Sequence, residues 1–269
     1  MSNNSKFVEF KSCNHIWAVG SIHSNFKSFE SVKKYILENF STNDKIIFLG
    51  NVIGVGESTK ETLSSVIDLR FQLMAKFSLL PEDVVFLRGA QEEMFLKLLQ
   101  LHTAPNPIEI LRWMYDHGVD KTIDSYGFDS KELISVSSQG TISINKWISN
   151  LKNIVDKNVG HREYFSNLSH AAFPKSKLIL FVNRGVDITR PLSAQSDCFW
   201  WGYYNFSKLD RPYRTFKKII RGYESSLLKD NNLENKTVFS LYKGPLDRKK
   251  IIAASFSESG KLIDIIESL

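Results

Sequence analysis

Two cysteines in 269 residues, Cys13 and Cys198, leave no disulfide framework and no CxxC pair for zinc or thiol redox chemistry. No apolar run approaches the roughly 18 residues of a membrane span. The opening Met-Ser-Asn-Asn-Ser-Lys-Phe lacks the apolar core of a secretory signal, so a cytoplasmic location is expected. Strong charge of one sign is also missing. Lys and Arg number 35 and Asp and Glu 29, a net charge of +6. That excess is weak grounds for nucleic acid and reads more simply as a solvated basic surface. Internal repeats and low-complexity tracts are absent as well, which excludes solenoids and linkers. What is present is ordinary for a globular chain: 42% hydrophobic and 24% charged residues. A chain of this size buries about 75% of its unfolded surface, and a single domain over residues 1–269 is expected.

Short apolar runs at 16–19, 45–49 and 84–87 read as buried strands bounded by Gly or polar residues. Helical spacing lies between them. Phe26, Phe29, Val32, Tyr35 and Ile36 share one face. A second helix runs from Leu63 to Phe77 with Pro81 beyond it, and a third begins at about Glu92. Strand and helix alternate, so the class is α/β with a mainly parallel first sheet. Residues from about 103 to 174 carry helical spacing at 108–115, at 144–155 and from 163 on, around a Ser-rich span at 124–143. They hold too many aromatics and aliphatics to be disordered and read as a helical insertion. Strands return at 178–182, 216–220, 237–242, 250–255 and 261–266, and their spacing suggests a second, more antiparallel sheet.

Open α/β sheets place their sites in loops after strand C-termini. Three such loops read Gly20-Ser21-Ile22-His23-Ser24, Gly50-Asn51-Val52-Ile53-Gly54-Val55-Gly56 and Arg88-Gly89-Ala90-Gln91-Glu92. Later loops read Asn183-Arg184-Gly185 and Arg221-Gly222-Tyr223. In order and spacing these resemble GDxHG, GDxVDRG, RGNHE, HAG and GHT, the motifs of the calcineurin-like metallophosphoesterase superfamily, in particular the bacterial type of its serine/threonine phosphoprotein-phosphatase branch. The strand Ile16-Trp17-Ala18-Val19 and the run Ser125-Tyr126-Gly127 are similar to that family too. So is the stretch from Phe181 to Trp201, with Arg190-Pro191-Leu192 and Gln195. Each motif alone is weak, and their joint order over roughly 15–268 is the signal. The resemblance implies a four-layer αββα sandwich of two mixed sheets carrying the helical insertion.

In that family two metal ions activate a water that attacks phosphorus. The six positions that would hold them correspond here to Ser21, His23, Asn51, Ala90, Asn183 and Tyr223, and only His23 keeps its type. Hard or borderline dications need charged oxygens or imidazoles. With no carboxylate among the six, nothing offsets the repulsion of two dications. The acid/base positions are altered as well. Gln91 stands for the histidine that protonates the leaving group, Gly54 for the Asp that orients it, and Val55 for a phosphate-binding Arg.

The reading is therefore a catalytically inactive pseudophosphatase that needs no cofactor. It would act by binding a protein partner or a phosphorylated ligand. Arg88, Arg184 and Arg221, with His23, form a candidate anion-binding set. The plainer alternative is that these arginines face solvent or pair with Glu92 or Asp187. A rewired phosphoesterase using His23, Asn51, Asn183 and one weakly bound Mn or other divalent metal is a second function. A basic nucleic-acid-binding module, from the pI of 9.1 and the Lys-Lys pairs at 217–218 and 249–250, ranks last. Asp116 with Asp120, and Asp124 with Asp129, read as solvated carboxylates. The aromatic run 199–201 reads as packing. Tyr203 and Tyr204 stand where relatives carry a phosphate-contacting Arg.

Overall fold

The computed structural model describes residues 6–202, 206, 209–223, 234, 236–242 and 250–268. Tyr203, Tyr204 and Lys249 lie outside the described residues.

Among the described residues, ten strands form two five-stranded sheets. In the first, β2 (Ile16–Val19), β3 (Lys45–Phe48) and β4 (Val84–Phe86) are parallel neighbours. They are joined through α1 (Phe26–Asn39) and α2 (Thr59–Phe77). Next to β2, β9 (Ile252–Phe256) runs antiparallel, and β10 (Leu262–Glu267) closes the edge, giving the order β10-β9-β2-β3-β4. The second sheet has the order β1-β5-β6-β7-β8. It is built from β1 (Phe7–Phe10), β5 (Ala171–Pro174), β6 (Ile179–Val182), β7 (Lys218–Arg221) and β8 (Val238–Ser240).

Period-two alternation sorts the strand side chains into layers. Ile16 and Ala18 of β2, Ile47 of β3 and Ala254 and Phe256 of β9 face Phe181, Ile220 and Phe239 of the other sheet. Trp17, Val19, Ile46 and Phe48 point the opposite way, into a core shared with the helices. Leu180, Val182 and Ile219 leave the outer face of the second sheet. They pack on Phe199 and Trp200 of a short helix at Cys198–Trp201 and on Phe206 and Tyr213. The result is an α/β sandwich of two mixed sheets with outer layers, as the motif order implies.

Between α3 (Ala90–Leu98) and β5 run α4 (Pro107–Asp116), α5 (Val119–Ser125), α6 (Ser130–Ser137), α7 (Thr141–Lys157) and α8 (His161–Ser166). They pack on α2 and α3 through Leu111, Ile123, Leu133, Ile148 and Tyr164. The Ser-rich span is not irregular throughout, since α6 lies in it. Asp129 caps it by accepting from the Lys131 N–H at 2.9 Å, and Leu133 anchors it in the core.

Two expectations about sheets are corrected. The C-terminal strands do not extend a second, antiparallel sheet; β9 and β10 complete the first. Every residue of β9 is buried, which suits a central strand between β2 and β10. The second sheet is mainly parallel, only β5 and β6 being antiparallel. Its strands β1 and β5 carry no alternation long enough to announce them in the sequence.

Candidate functional site

The loops after β2, β3, β4, β6 and β7 meet where the C-terminal ends of the two sheets converge. Their backbones hold one another. Ile22 and His23 N–H both donate to Asn51 O, at 3.0 and 2.8 Å. Ser21 N–H donates to Gly222 O at 3.0 Å, and Tyr223 N–H to Asn183 O at 2.9 Å. Gly89 must be glycine because a Cβ there would strike the Asn51 backbone. Four non-glycine residues on the first two loops have left-handed backbones: His23 (φ 50°), Ser24 (58°), Asn51 (54°) and Val55 (65°). A β-branched Val in that region is strained, and such strain persists only where the surroundings over-determine it.

Glu92 supplies much of that determination. Its fully buried carboxylate accepts the N–H groups of Asn51 (2.8 Å), Val52 (2.8 Å), Ile53 (3.3 Å) and Gly89 (3.0 Å), and the Tyr164 hydroxyl (3.1 Å). One acid thus fastens the β3 loop to the β4 loop and to α8. Burial pushes its carboxyl up, and the donors facing it oppose that push.

The six positions that correspond to metal ligands cluster, but their donors are directed at the protein. Ser21 Oγ donates to Gly222 O (2.9 Å) and accepts from Asn51 Nδ2 (3.3 Å). Asn51 Oδ1 accepts from the Gln91 N–H (3.1 Å), and Asn183 Nδ2 donates to Leu49 O (2.6 Å). Asn183 Oδ1 has no hydrogen-bond partner among the described residues. Ala90 offers no donor atom. The Tyr223 ring lies against Tyr242, tilted by 33° at 4.8 Å, and the His23 ring stands edge-on to both, at 5.6 and 6.0 Å. Among the described residues no group of three or more His, Cys, Asp or Glu side chains converges as a metal-holding set. This donor set, without a carboxylate and with Ser21 and Asn51 hydrogen-bonded to each other, does not fit a pair of divalent ions.

At the acid/base positions, Gln91 sends Nε2 to His117 O (3.0 Å) and lies against the bare α-carbon of Gly54. Any Cβ at Gly54 (φ 83°) would collide with the Gln91 side chain. Val55 N–H donates to Gly118 O (3.2 Å), and Gly118 in turn leaves no room for a Cβ beside Val55.

A cavity of about 450 Å³ opens over these loops. His23, Asn51, Gln91, Arg184 and Tyr223 form one part of its lining, and Trp113, Asp116, His117, Asp120, Lys121 and Trp201 another. Of the four candidate anion-binding residues, His23 and Arg184 line it. The Arg184 guanidinium lies 5.5 Å from the Tyr223 ring centre. Arg88 does not line it: it pairs with Glu93 at 3.0 Å and covers the Trp200 ring. Arg221 is buried on β7, donating from Nε to Ser240 Oγ at 2.6 Å. Asp187, a suggested partner for these arginines, pairs with Arg190 at 3.2 Å. Sequence reasoning missed the α4 contribution. Trp113, Asp116 and His117 stand at i, i+3 and i+4 and so share a helix face, which was the available signal. Trp201 was expected to pack, yet it is 38% exposed in the cavity wall, while Phe199 and Trp200 are buried.

No family model matches the chain, and no curated protein matches it in sequence. Solved structures do match in shape. One, provisionally described as a diadenosine tetraphosphatase, aligns over 98% of this chain and 99% of its own at 13% identity and a TM-score of 0.53. Another is a cold-active protein-tyrosine phosphatase of a psychrophilic Shewanella species. It aligns over 98% of this chain and 84% of its own at 11% identity and a TM-score of 0.53. The chain has the metallophosphatase-like fold.

Proposed function

We propose that the chain is a pseudophosphatase: a phosphatase-fold protein that binds a phosphorylated ligand, free or carried on a protein partner, and does not hydrolyse it. The observation that carries this reading is the hydrogen-bonded closure of Ser21, Asn51 and Asn183 on one another and on backbone atoms, with Ala90 and Tyr223 adding no hard ligand. A site that kept two dications would need carboxylate at Ser21 or Asn51 to balance their charge. Arg184 and His23 line the cavity, and the Arg184 guanidinium brings a permanent positive charge to it that favours an anion. Gln91 has no titratable proton for a leaving group.

Calorimetric titration of Mn²⁺ into metal-stripped protein near neutral pH tests it. Absence of heat at high micromolar metal is the expected result. Stoichiometric binding at low micromolar metal would overturn the reading and give the lead to a phosphoesterase that uses His23, Asn51 and Asn183 around one metal.

A further inference from the structure

We infer that the cavity takes a guanine nucleotide, the purine lying against Trp113 and Trp201, a carboxylate of Asp116 or Asp120 reading the guanine edge, and Arg184 holding the phosphate. The inference rests on the phosphate-binding reading of this site and sharpens it to one ligand class.

Two large aromatic side chains stand exposed at one mouth. Trp113 is 45% and Trp201 38% exposed, and their rings meet edge to face at 6.0 Å. The His117 ring lies against Trp113, tilted by 37° with ring centres 4.5 Å apart, and extends the same surface. Exposed aromatic surface beside a concave site marks a place where another flat apolar surface is meant to lie. Planar bases stack on such rings, and the stack is indifferent to which base it is.

The polar groups narrow the choice. A free phosphate dianion would suit Arg184 but would meet the carboxylates of Asp116 and Asp120 in the same cavity. A ligand that is anionic at one end and rich in N–H donors at the other satisfies both. Guanine presents N1–H and N2–H₂ side by side, a match for the two oxygens of one carboxylate. Adenine presents an acceptor at N1 beside its N6 donors, and a carboxylate facing that acceptor is repelled. The volume of about 450 Å³ lies within the usual range for small-molecule sites.

Tryptophan fluorescence titrations in buffer with EDTA test this with four probes: GMP, AMP, guanosine and inorganic phosphate. GMP is expected to bind at least tenfold more tightly than AMP, about the discrimination of one bidentate base contact. The Asp116→Asn/Asp120→Asn variant should erase that preference, and Arg184→Ala should reduce GMP to the affinity of guanosine. Unchanged thermal midpoints certify that the variants fold. Equal affinity for GMP and AMP overturns the guanine assignment. Equal binding of GMP, AMP and inorganic phosphate, with none of guanosine, overturns base stacking and leaves the phosphate reading standing. Binding of none of the four removes both.

Discussion

Replacing Glu92 by Gln keeps the shape of the side chain and removes its charge, so it isolates what the carboxylate does. In the native protein Oε2 accepts from the Asn51 and Gly89 N–H groups, and Oε1 from Val52, Ile53 and the Tyr164 hydroxyl. A Gln offers one acceptor and one NH₂. Whichever way it turns, at least two donors face a donor at a fully buried position. Each stranded buried donor costs about 1–3 kcal/mol, and charge-assisted bonds weaken as well. The desolvation of the native carboxylate, which pushes its pKa up, is relieved in the variant and returns part of that cost. The net expectation is a loss of about 3–5 kcal/mol, a large share of the roughly 5–15 kcal/mol of a typical domain. Urea unfolding followed by circular dichroism measures it, with the m-value checked to confirm the same cooperative unit. A loss below about 1 kcal/mol would refute the argument. It would mean that a neutral acid already serves there and that the loops are held by their backbone contacts alone.

Acid should destabilise the fold before carboxylates titrate. Burial pulls His161 and His170 from 6.5 down to about 4, with Lys60 acting on the first and Arg88 on the second. Both stay neutral in the fold and protonate more readily when unfolded. Their stabilisation is therefore complete above the unfolded pKa of 6.5 and is lost as pH falls toward 4, about 2 kcal/mol each at pH 5, readable as a drop in urea midpoint between pH 7.5 and 5. Gly54→Ala should cost about 2 kcal/mol from its left-handed backbone and its collision with Gln91, and Gln91→Ala should recover the steric part when the two are combined in a double-mutant cycle. Asp83→Asn strands Lys45, its buried partner at 2.9 Å, and should cost about 3 kcal/mol, whereas the apolar pair Lys45→Met/Asp83→Leu should cost less than the single change. Cys13, with its thiol pushed up to about 12 by burial and then by Glu258, should resist iodoacetamide at pH 8 until urea unfolds the chain.

The parallel strands of the first sheet and their helices were legible because β2, β3 and β4 are short, mainly apolar runs and the helices between them have a clear period, as in α1. The second sheet was harder. Its β1 is Phe-Val-Glu-Phe and its β5 Ala-Ala-Phe-Pro, too short for alternation to register, and their parallel pairing joins segments more than 160 positions apart. The membership of β9 was also invisible, because a short strand buried along its whole length fits either sheet and only pairing with β2 decides. At the site, motif order located the five loops but did not say where their side chains point. Arg88, Arg184 and Arg221 look equivalent in sequence. In the fold one pairs with Glu93, one lines the cavity and one is buried against Ser240. The cavity wall from α4 and α5 comes from the inserted helices, whose distance in sequence from the loops conceals the meeting.

The altered positions are fitted to one another, and that bears on how the fold stands without charged ligands to tie the loops together. Removing the Asp expected at position 54 leaves a glycine, and Gln91 fills the space so opened. The Gln91 amide reaches His117 O, and Gly118 beside it packs on Val55, whose strained backbone is held by the Gly118 carbonyl. Asn51 and Ser21 bond each other where two ligands would each have faced a metal. Here Ser21, Asn51 and the Gln91 amide nitrogen find partners, Asn183 Oδ1 and Gln91 Oε1 have none among the described residues, and the Glu92 carboxylate joins the loops from below. The cavity lies over this floor, with the exposed Trp113 and Trp201 in its wall, so the same contacts that hold the loops fix the base of the space between them.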